Sequence, residues 1–145
     1  MVPVKVLIQR LDSDLPLPAY ELPGDAGLDI HSRITLELTA GERALIPTGI
    51  ALALPAGYVA LIHPRSGLAA KHGFTLVNSP GTIDSGYRGE IMVCLYNTSK
   101  DVVDIKHGDR IAQIIFQEVP VVTMEVHSTL GSSQRGDNGF GSTGK

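Results

Sequence analysis

The chain has 145 residues, 43% of them hydrophobic, with 16 Gly and 9 Pro, a composition that fits one turn-rich folded domain and excludes a disordered chain. Its formal net charge of −3 and the absence of a basic run argue against a nucleic-acid partner. The sequence shows neither a signal-peptide pattern nor an apolar run near the roughly 18 residues of a membrane span, so we expect a cytoplasmic protein with no membrane partner.

In chain order, hydrophobic runs predict short strands over residues 4–8, 34–38, 50–54, 58–62, 91–96, 102–105, 111–117 and 121–126. Stretches such as Pro55-Ala56-Gly57 and His107-Gly108-Asp109 mark turns between them. Only Ser66 to Lys71 has a helical pattern, and Ser66 is expected to cap its N-terminus. Many short strands at near-regular spacing predict an all-β fold, an antiparallel sandwich or barrel with one short helix.

The composition changes near the C-terminus. Residues 131–145 are mostly Gly and polar residues, with Phe140 as the single large apolar side chain. Such a segment buries too little apolar surface to order itself. We therefore predict a folded domain over residues 1–130 and a flexible Gly-rich C-terminal arm over residues 131–145.

The stretch over residues 78–91 places a lone acid, Asp84, on a turn between two apolar runs. Its glycines are expected to adopt the positive φ angles of a tight hairpin: Gly81, Gly86 and Gly89. A carboxylate on a rigid turn can be aimed at a ligand, and Tyr87 could pack on that ligand. The alternative is an ordinary surface turn, and the residues of this stretch alone do not separate the two.

Three further segments carry polar residues that could bind a ligand. Residues 64–68 lead into the predicted helix, so their backbone N–H groups and Arg65 could hold an anion, or could simply begin a helix. The loop over residues 24–29 could hold a hydrated divalent ion or form an ordinary turn. Strand alternation predicts that Arg110 and Gln113 face opposite sides of a sheet.

The single cysteine, Cys94, excludes an intrachain disulfide. It lies in a strand-like run, which predicts a buried structural thiol instead of a nucleophile. The five histidines have no metal-ligand spacing, so we assign them no metal.

Taken in order, five segments resemble the five motifs of the trimeric deoxyuridine triphosphate nucleotidohydrolase (dUTPase) family. They are residues 26–29 (AGLD), 64–69 (PRSGLA), 81–89 (GTIDSGYRG), 108–113 (GDRIAQ), and Arg135-Gly136 with residues 139–144 (GFGSTG). The resemblance spans residues 24–144 and is specific because all five occur in order. It implies a β jelly roll, a homotrimer that shares its active sites between subunits, and Mg²⁺-dependent hydrolysis of dUTP to dUMP and pyrophosphate. That reaction would limit uracil incorporation into DNA and supply dUMP for thymidylate synthesis.

The resemblance also implies a role for each matching residue. Asp84 would activate the water that attacks the α-phosphate, and Tyr87 would pack on the sugar and reject a 2′-hydroxyl. Asp29 would support the metal through water, or act structurally. The phosphates would be held by Arg65, Ser66, Gly67 and Gln113, and the uracil by Asn78, Thr82, Ile83 and Met92. The arm of another subunit, with Pro120 as its hinge, would close over the base and the γ-phosphate. Its substrate-binding residues would be Arg135, Phe140, Gly141, Ser142 and Thr143.

Two other functions remain open at this point. A dCTP deaminase, alone or combined with a phosphatase activity, shares the fold but needs a Glu placed to activate water at the base. In this chain the turn carries Asp84, and Glu90 is displaced along the strand. A non-catalytic jelly-roll module is the second alternative, and it gives no reason for Asp84, Arg65 and the arm to occur together.

Overall fold

The computed structural model describes residues 2–140. Its strands are β1 Leu7–Arg10, β2 Leu28–His31, β3 Leu36–Leu38, β4 Arg43–Pro47, β5 Ile50–Ala53, β6 Tyr58–His63, β7 Phe74–Leu76, β8 Gly81–Ile83, β9 Met92–Asn97, β10 Val103–Ile105 and β11 Arg110–Glu118, and its helix is α1 Ser66–His72. All pairings among these strands are antiparallel. The predicted all-β, jelly-roll-like fold with one short helix is confirmed. Within residues 2–140, no helix is long and apolar enough to cross a membrane.

Two larger sheets enclose the core. One has the strand order β2-β11-β6-β8 and the other β4-β9-β7, while β1 pairs with β5 and β3 with β10. Strand alternation turns every second side chain inward, so β9 buries Val93, Leu95 and Asn97. Ile62 and Ile114 of the first sheet join Val93 and Leu95 of the second in one buried cluster. Each large aliphatic side chain buried in this way contributes roughly 1.5–3 kcal/mol.

Local sequence does not predict four of the strands: β2, β4, β7 and β8. They are short, β8 begins with a glycine, and β4 ends in Pro47 at a sheet edge, where a proline is tolerated. Pairing with longer neighbours specifies them, because tertiary context outweighs strand propensity. The first predicted strand, residues 4–8, is displaced to β1. The thiol of Cys94 is only half-buried, because it lies on the outer face of β9.

The predicted strand over residues 121–126 is wrong for the single chain. The last strand, β11, ends at Glu118, and Val121, Met124 and Val126 are 96%, 88% and 98% exposed. The apolar pattern is that of a strand, but within residues 2–140 no neighbouring strand pairs with this segment. It leaves the body as an exposed apolar segment.

The N-terminus of α1 also differs from the prediction. Ser66 is the first helical residue and not its cap; Arg65 occupies the N-cap position with extended backbone angles and no side-chain cap bond. Strand β6 ends at His63, so only Pro64 and Arg65 connect it to the helix, and the N-cap position falls to Arg65. Gly73 ends the helix at φ +67°, the left-handed conformation that favours glycine at this position.

Candidate active site

A cavity of about 340 Å³, which we call the anion pocket, brings together three of the predicted polar segments. The loop before β2, the start of α1 and strand β11 meet there. Its lining includes Glu21, Asp25, Gly27, Asp29, Arg65, Ser66, Gly67 and Gln113. The predicted phosphate-binding residues Arg65, Ser66, Gly67 and Gln113 therefore line one pocket, and the predicted metal-supporting residue Asp29 lies among them.

Asp29, in the lining of the anion pocket, bonds to two arginines. Its Oδ1 accepts a hydrogen bond from Arg65 Nε at 2.8 Å, and its Oδ2 accepts one from Arg110 Nη1 at 3.2 Å. Arg110 Nη1 also donates to Glu21 Oε1 at 3.1 Å. Charge-assisted bonds of this kind fix a guanidinium in direction as well as place. Because Asp29 engages Arg65 through Nε, the two terminal nitrogens of Arg65 stay available for an anion.

A β-bulge places Arg110 and Gln113 on the same face, which corrects the prediction that they face opposite sides. Arg110 pairs with His31, whereas Ala112 already pairs with Ile30, so Ile111 is the extra residue in β11. An extra residue shifts the alternation by one position. Consequently Arg110 bonds to Asp29, and Gln113 lies opposite Asp29 in the register.

Gly27 is required for space beside Gln113. The Gln113 Nε2 donates to the carbonyl of Pro64 at 2.9 Å, which folds its side chain over Gly27. A Cβ at position 27 would lie 3.2 Å from Gln113 Cδ and would overlap its Oε1. The glycine in the first motif thus allows the amide of the fourth motif to reach the pocket.

His31 lies beside this arginine pair without adding a charge. Burial lowers the pKa of His31; the Asp29 carboxylate partly opposes that shift, while Arg110 and Arg65 reinforce it. The ring is therefore neutral at pH 7, since its ordinary pKa is already near 6.5. It does not compete with Arg65 and Arg110 for the Asp29 carboxylate.

Asp84 lies directly after β8 on a braced turn. The Tyr87 N–H donates to the Asp84 carbonyl at 3.1 Å. The Arg88 Nη1 donates to the carbonyls of Ser85 and Tyr87 at 2.7 and 2.9 Å. The Asp84 side chain is exposed and opens into a second cavity of about 350 Å³, the turn cavity, which Thr82 and the exposed Val119 to Val121 also line.

The path around Asp84 is not the tight hairpin that was predicted. Strand β8 pairs with β6 in the other sheet, although Val77 N–H does bond to Cys94 O at 3.0 Å beside β9. The chain therefore crosses between sheets before returning to β9. None of the three glycines has a positive φ, so that expectation is wrong: Gly81, Gly86 and Gly89.

Gly89 instead makes room for Tyr87. The Tyr87 ring folds back over the Gly89 backbone, where a Cβ would lie 2.7 Å from the ring atom Cζ. The Tyr87 hydroxyl donates to the Glu90 carbonyl at 2.9 Å. The ring is consequently held before any ligand arrives.

Within one chain the predicted residues form two groups and an arm. The anion pocket and the turn cavity share no lining residue. The predicted uracil-binding residues surround the β8 crossing: Asn78, Thr82, Ile83 and Met92. In the arm, Arg135 Nε bonds only to Asn138 O among residues 2–140, and Phe140 is fully exposed. Gly141, Ser142 and Thr143 lie outside the described residues.

Sequence reasoning gave no site role to Arg110 or Glu21, although Arg110 lies within a recognised motif. Their connection to Asp29 depends on the bulge at Ile111 and on a loop far away in sequence, and neither leaves a local pattern.

The donor set does not form a closed metal cage. Residues 2–140 contain no group of three or more His, Cys, Asp or Glu side chains placed to hold a metal ion. In the anion pocket both Asp29 oxygens bond to arginine, and Asp25 Oδ2 accepts the Leu22 N–H at 2.9 Å. This set fits Mg²⁺ that keeps several waters and takes its other ligands from bound phosphates.

A family model described as dUTPase matches residues 13–144, which include both cavities and residues 131–144 of the arm. The chain belongs to the dUTPase family. Proteins named deoxyuridine 5′-triphosphate nucleotidohydrolase from Streptomyces avermitilis and Thermobifida fusca are 52% and 56% identical to it. These matches cover 98% and 97% of this chain and 82% and 79% of theirs.

Solved dUTPase structures have the same fold. A mutant dUTPase of Staphylococcus bacteriophage 80alpha with dUpNHpp matches with a TM-score of 0.89 and 27% identity, over 97% of this chain and 99% of that one. A dUTPase from phage phi11 of S. aureus, described with a structural Mg(II) ion, matches with a TM-score of 0.81 and 25% identity, over 88% of this chain and 99% of that one. These likenesses agree with the dUTPase family membership.

Proposed function

We propose that the chain hydrolyses dUTP to dUMP and pyrophosphate by attack of water on the α-phosphate. The single observation that carries the proposal is the dUTPase family match over residues 13–144, a range that contains every residue lining the two cavities. The geometry of the anion pocket and of the braced Asp84 turn supports it, as follows.

Phosphate binding belongs to the anion pocket. The terminal nitrogens of Arg65, oriented by Asp29, match the two-pronged geometry that phosphate oxygens accept. Ser66 and Gly67 line the same wall, and Gln113 completes it from β11. In this arrangement Asp29 is a positioning residue for Arg65. Its carboxylate has both oxygens occupied, which favours this role over one in water-mediated metal support.

Asp84 is the general base in the proposed mechanism. Its carboxylate is exposed on a turn that Arg88 and Tyr87 brace, so it can accept a proton from water without reorganising the backbone. In-line attack by that water expels pyrophosphate, and preorganised donors around the phosphates stabilise the charge that develops.

Base and sugar recognition belong to the β8 crossing. The Asn78 amide and the backbone near Thr82, Ile83 and Met92 would satisfy the polar edge of uracil. Tyr87 would pack against the deoxyribose and leave no room for a 2′-hydroxyl. A site that hydrogen-bonds one base edge rejects the wrong base because buried polar groups are left unpaired.

Mg²⁺ would be bound mainly by the phosphates and by water, with Glu21 and Asp25 at the rim of the anion pocket. When bound, it neutralises phosphate charge during hydrolysis. The proposed cellular setting is the cytoplasm, where the reaction would limit uracil in DNA and supply dUMP.

The proposed active unit is a homotrimer with shared sites. Asp84 does not line the anion pocket of its own chain, and most apolar side chains of residues 119–130 are largely exposed. One subunit would supply the anion pocket, a second would supply Asp84 and Tyr87, and the third would supply its arm. The arm would begin near residue 130, at the end of the folded domain. The arm residues Arg135, Phe140, Gly141, Ser142 and Thr143 would close over the nucleotide.

Hydrolysis of a nucleotide panel tests the function directly. Pyrophosphate release should be fast with dUTP and at least roughly 10³-fold slower with dCTP, dTTP and UTP. Ammonia release should be measured with dCTP in parallel. Ammonia from dCTP would instead support the deaminase, and inactivity toward every nucleotide would support a non-catalytic module.

Gly27→Ala should raise the KM for dUTP, because the added methyl overlaps Gln113 and pushes its amide off Pro64. We expect a loss in kcat/KM of about 10- to 150-fold, comparable to that in Gln113→Ala, since a hydrogen bond to a charged group contributes roughly 1.5–3 kcal/mol. The double variant should lose little more than either single one, because both changes disable the same contact. Fully additive losses would show that Gly27 acts independently of Gln113.

Mixing two inactive variants tests the shared sites. In trimers refolded from equal amounts of Asp84→Asn and Arg135→Ala chains, the two residues of one site would come from different subunits. Random assembly should then restore about one quarter of the sites, since each needed residue is intact with a probability of about one half. Each variant refolded alone is the control. If mixing restores no activity, both residues act within one chain.

A further inference from the structure

Glu90 occupies an unusual junction next to the braced turn. Its Oε1 accepts hydrogen bonds from Arg33 Nη1 at 3.1 Å and from the Gly49 backbone N–H at 2.9 Å. Its backbone carbonyl accepts the Tyr87 hydroxyl at 2.9 Å. The side chain of Glu90 is therefore tied to the protein body, while its carbonyl holds the Tyr87 ring.

Both partners of the Glu90 carboxylate are themselves fixed. Arg33 Nη2 donates to the Leu11 carbonyl at 3.0 Å, so its guanidinium bridges two distant loops. Gly49 adopts φ +74°, and a Cβ there would lie 2.9 Å from Leu15 Cδ1, so the Gly49 turn is tightly packed. Glu90 thus bonds to a rigid frame.

Backbone hydrogen bonds to the protein body hold the chain on only one side of Glu90. The next residue, Ile91, donates its N–H to Ile50 O at 2.8 Å, but the segment before Glu90 is braced only by bonds within its own turn. Glu90 follows the turn that carries Asp84 and Tyr87, and its carboxylate makes the hydrogen bonds to the protein body that lie nearest to that turn on this side. The Ile91 N–H fixes one side of the peptide group that contains the Glu90 carbonyl, and the Glu90 carboxylate fixes the side nearer Tyr87. Loss of the carboxylate contacts would leave that peptide group held from one side only.

We propose that Glu90, clamped by Arg33 and Gly49, is a positioning residue that sets sugar specificity by keeping the Tyr87 ring from moving away from the nucleotide. The inference rests on the proposed function, in which Tyr87 faces the deoxyribose. A ring can exclude a 2′-hydroxyl only if it cannot retreat. Gly89 limits the ring from one side, and the Tyr87–Glu90 bond prevents it from swinging out.

The test measures kcat/KM for dUTP and for UTP in the full-length wild type and in Tyr87→Ala, Tyr87→Phe, Glu90→Ala, Glu90→Gln and Arg33→Ala. Glu90→Ala should raise the UTP-to-dUTP ratio by about tenfold, with kcat for dUTP changed by less than about threefold. Glu90→Gln keeps an acceptor for Gly49 and should lie close to the wild type. Arg33→Ala should fall between them. Glu37→Ala, an exposed glutamate on β3, is the matched control and should leave the ratio unchanged.

A combined variant separates positioning from a general loss of structure. In Tyr87→Phe the bond to the Glu90 carbonyl is already missing, so adding Glu90→Ala should change the ratio little further. Equal losses with both nucleotides in Glu90→Ala, at an unchanged ratio, would overturn the inference. If Glu90→Ala fails to fold, Arg33→Ala and Glu90→Gln decide the question by the same ratio.

The outcomes also separate this inference from the proposed function. If Tyr87→Ala raises the ratio and neither Glu90→Ala nor Arg33→Ala does, only the clamp is wrong. If Tyr87→Ala leaves the ratio unchanged, Tyr87 does not select the sugar and the inference fails with it. Wild-type turnover of dUTP is measured first, so absence of that turnover would overturn the proposed function itself.

Discussion

Asp84→Asn should lower kcat for dUTP by about 10²–10⁴-fold, the range expected when a general base is removed. The amide keeps the size of the carboxylate but cannot accept a proton from water at neutral pH. The turn should persist, because its bonds use the backbone of residue 84 and the Arg88 side chain, and not the carboxylate. Melting temperature and dUMP affinity should therefore remain near their wild-type values.

Single-turnover measurements of pyrophosphate release distinguish loss of chemistry from loss of binding. Asp101→Asn is a matched control, since Asp101 is exposed and contributes its carbonyl, not its carboxylate, to the Asn97 network. A near-normal kcat in Asp84→Asn would mean that another group activates the water.

Deletion of residues 134–145 should nearly abolish dUTP turnover, with a loss in kcat of at least about 10²-fold, while leaving the fold intact. Removing even one donor to the developing charge costs roughly 10²–10³ in rate. The described part of the deleted segment packs on nothing: Phe140 is fully exposed, and Arg135 bonds only to the adjacent turn. Its loss should therefore shift the melting temperature by less than about 2 °C.

The nucleotide dependence of this deletion identifies what the arm does. Ordering flexible backbone costs roughly 1–2 kcal/mol per residue, which arginine–phosphate bonds and base stacking must offset. We expect the arm to close on a triphosphate and to loosen on dUMP. The truncated chain should then bind dUMP about as well as the full chain. Phe140→Ala and Arg135→Ala should each show a partial loss, and unimpaired turnover after truncation would exclude a catalytic role for the arm.

The sequence predicted the fold class well because the central strands show their burial locally. In β9, apolar residues alternate with outward-facing ones, and residues 58–62 and 111–117 have comparable runs. By contrast, β2 and β8 exist because β11 and β6 pair with them. Local pattern carries no record of such pairing, so short strands of this kind are missed.

The candidate site likewise contains residues that the sequence predicts and contacts that it does not. The motif residues of the anion pocket were recognised from their resemblance to a family, and the structure gathers them around Asp29. The shared face of Arg110 and Gln113 could not be predicted, since a bulge depends on register and not on composition. The link between Arg33 and Glu90 joins residues 57 positions apart and leaves no local signal.

The uncovered segment after Glu118 has a consequence for the cell as well as for the enzyme. An exposed apolar segment with unpaired backbone groups favours aggregation with other chains. The exposed side chains here are those of Val121, Met124, Val126 and Leu130. In the homotrimer proposed above, assembly would cover this segment, so the solubility of a newly made chain would depend on how quickly it assembles. Substitutions that slow this proposed assembly would then lower the yield of soluble protein through aggregation and proteolysis, even where they leave catalysis unchanged.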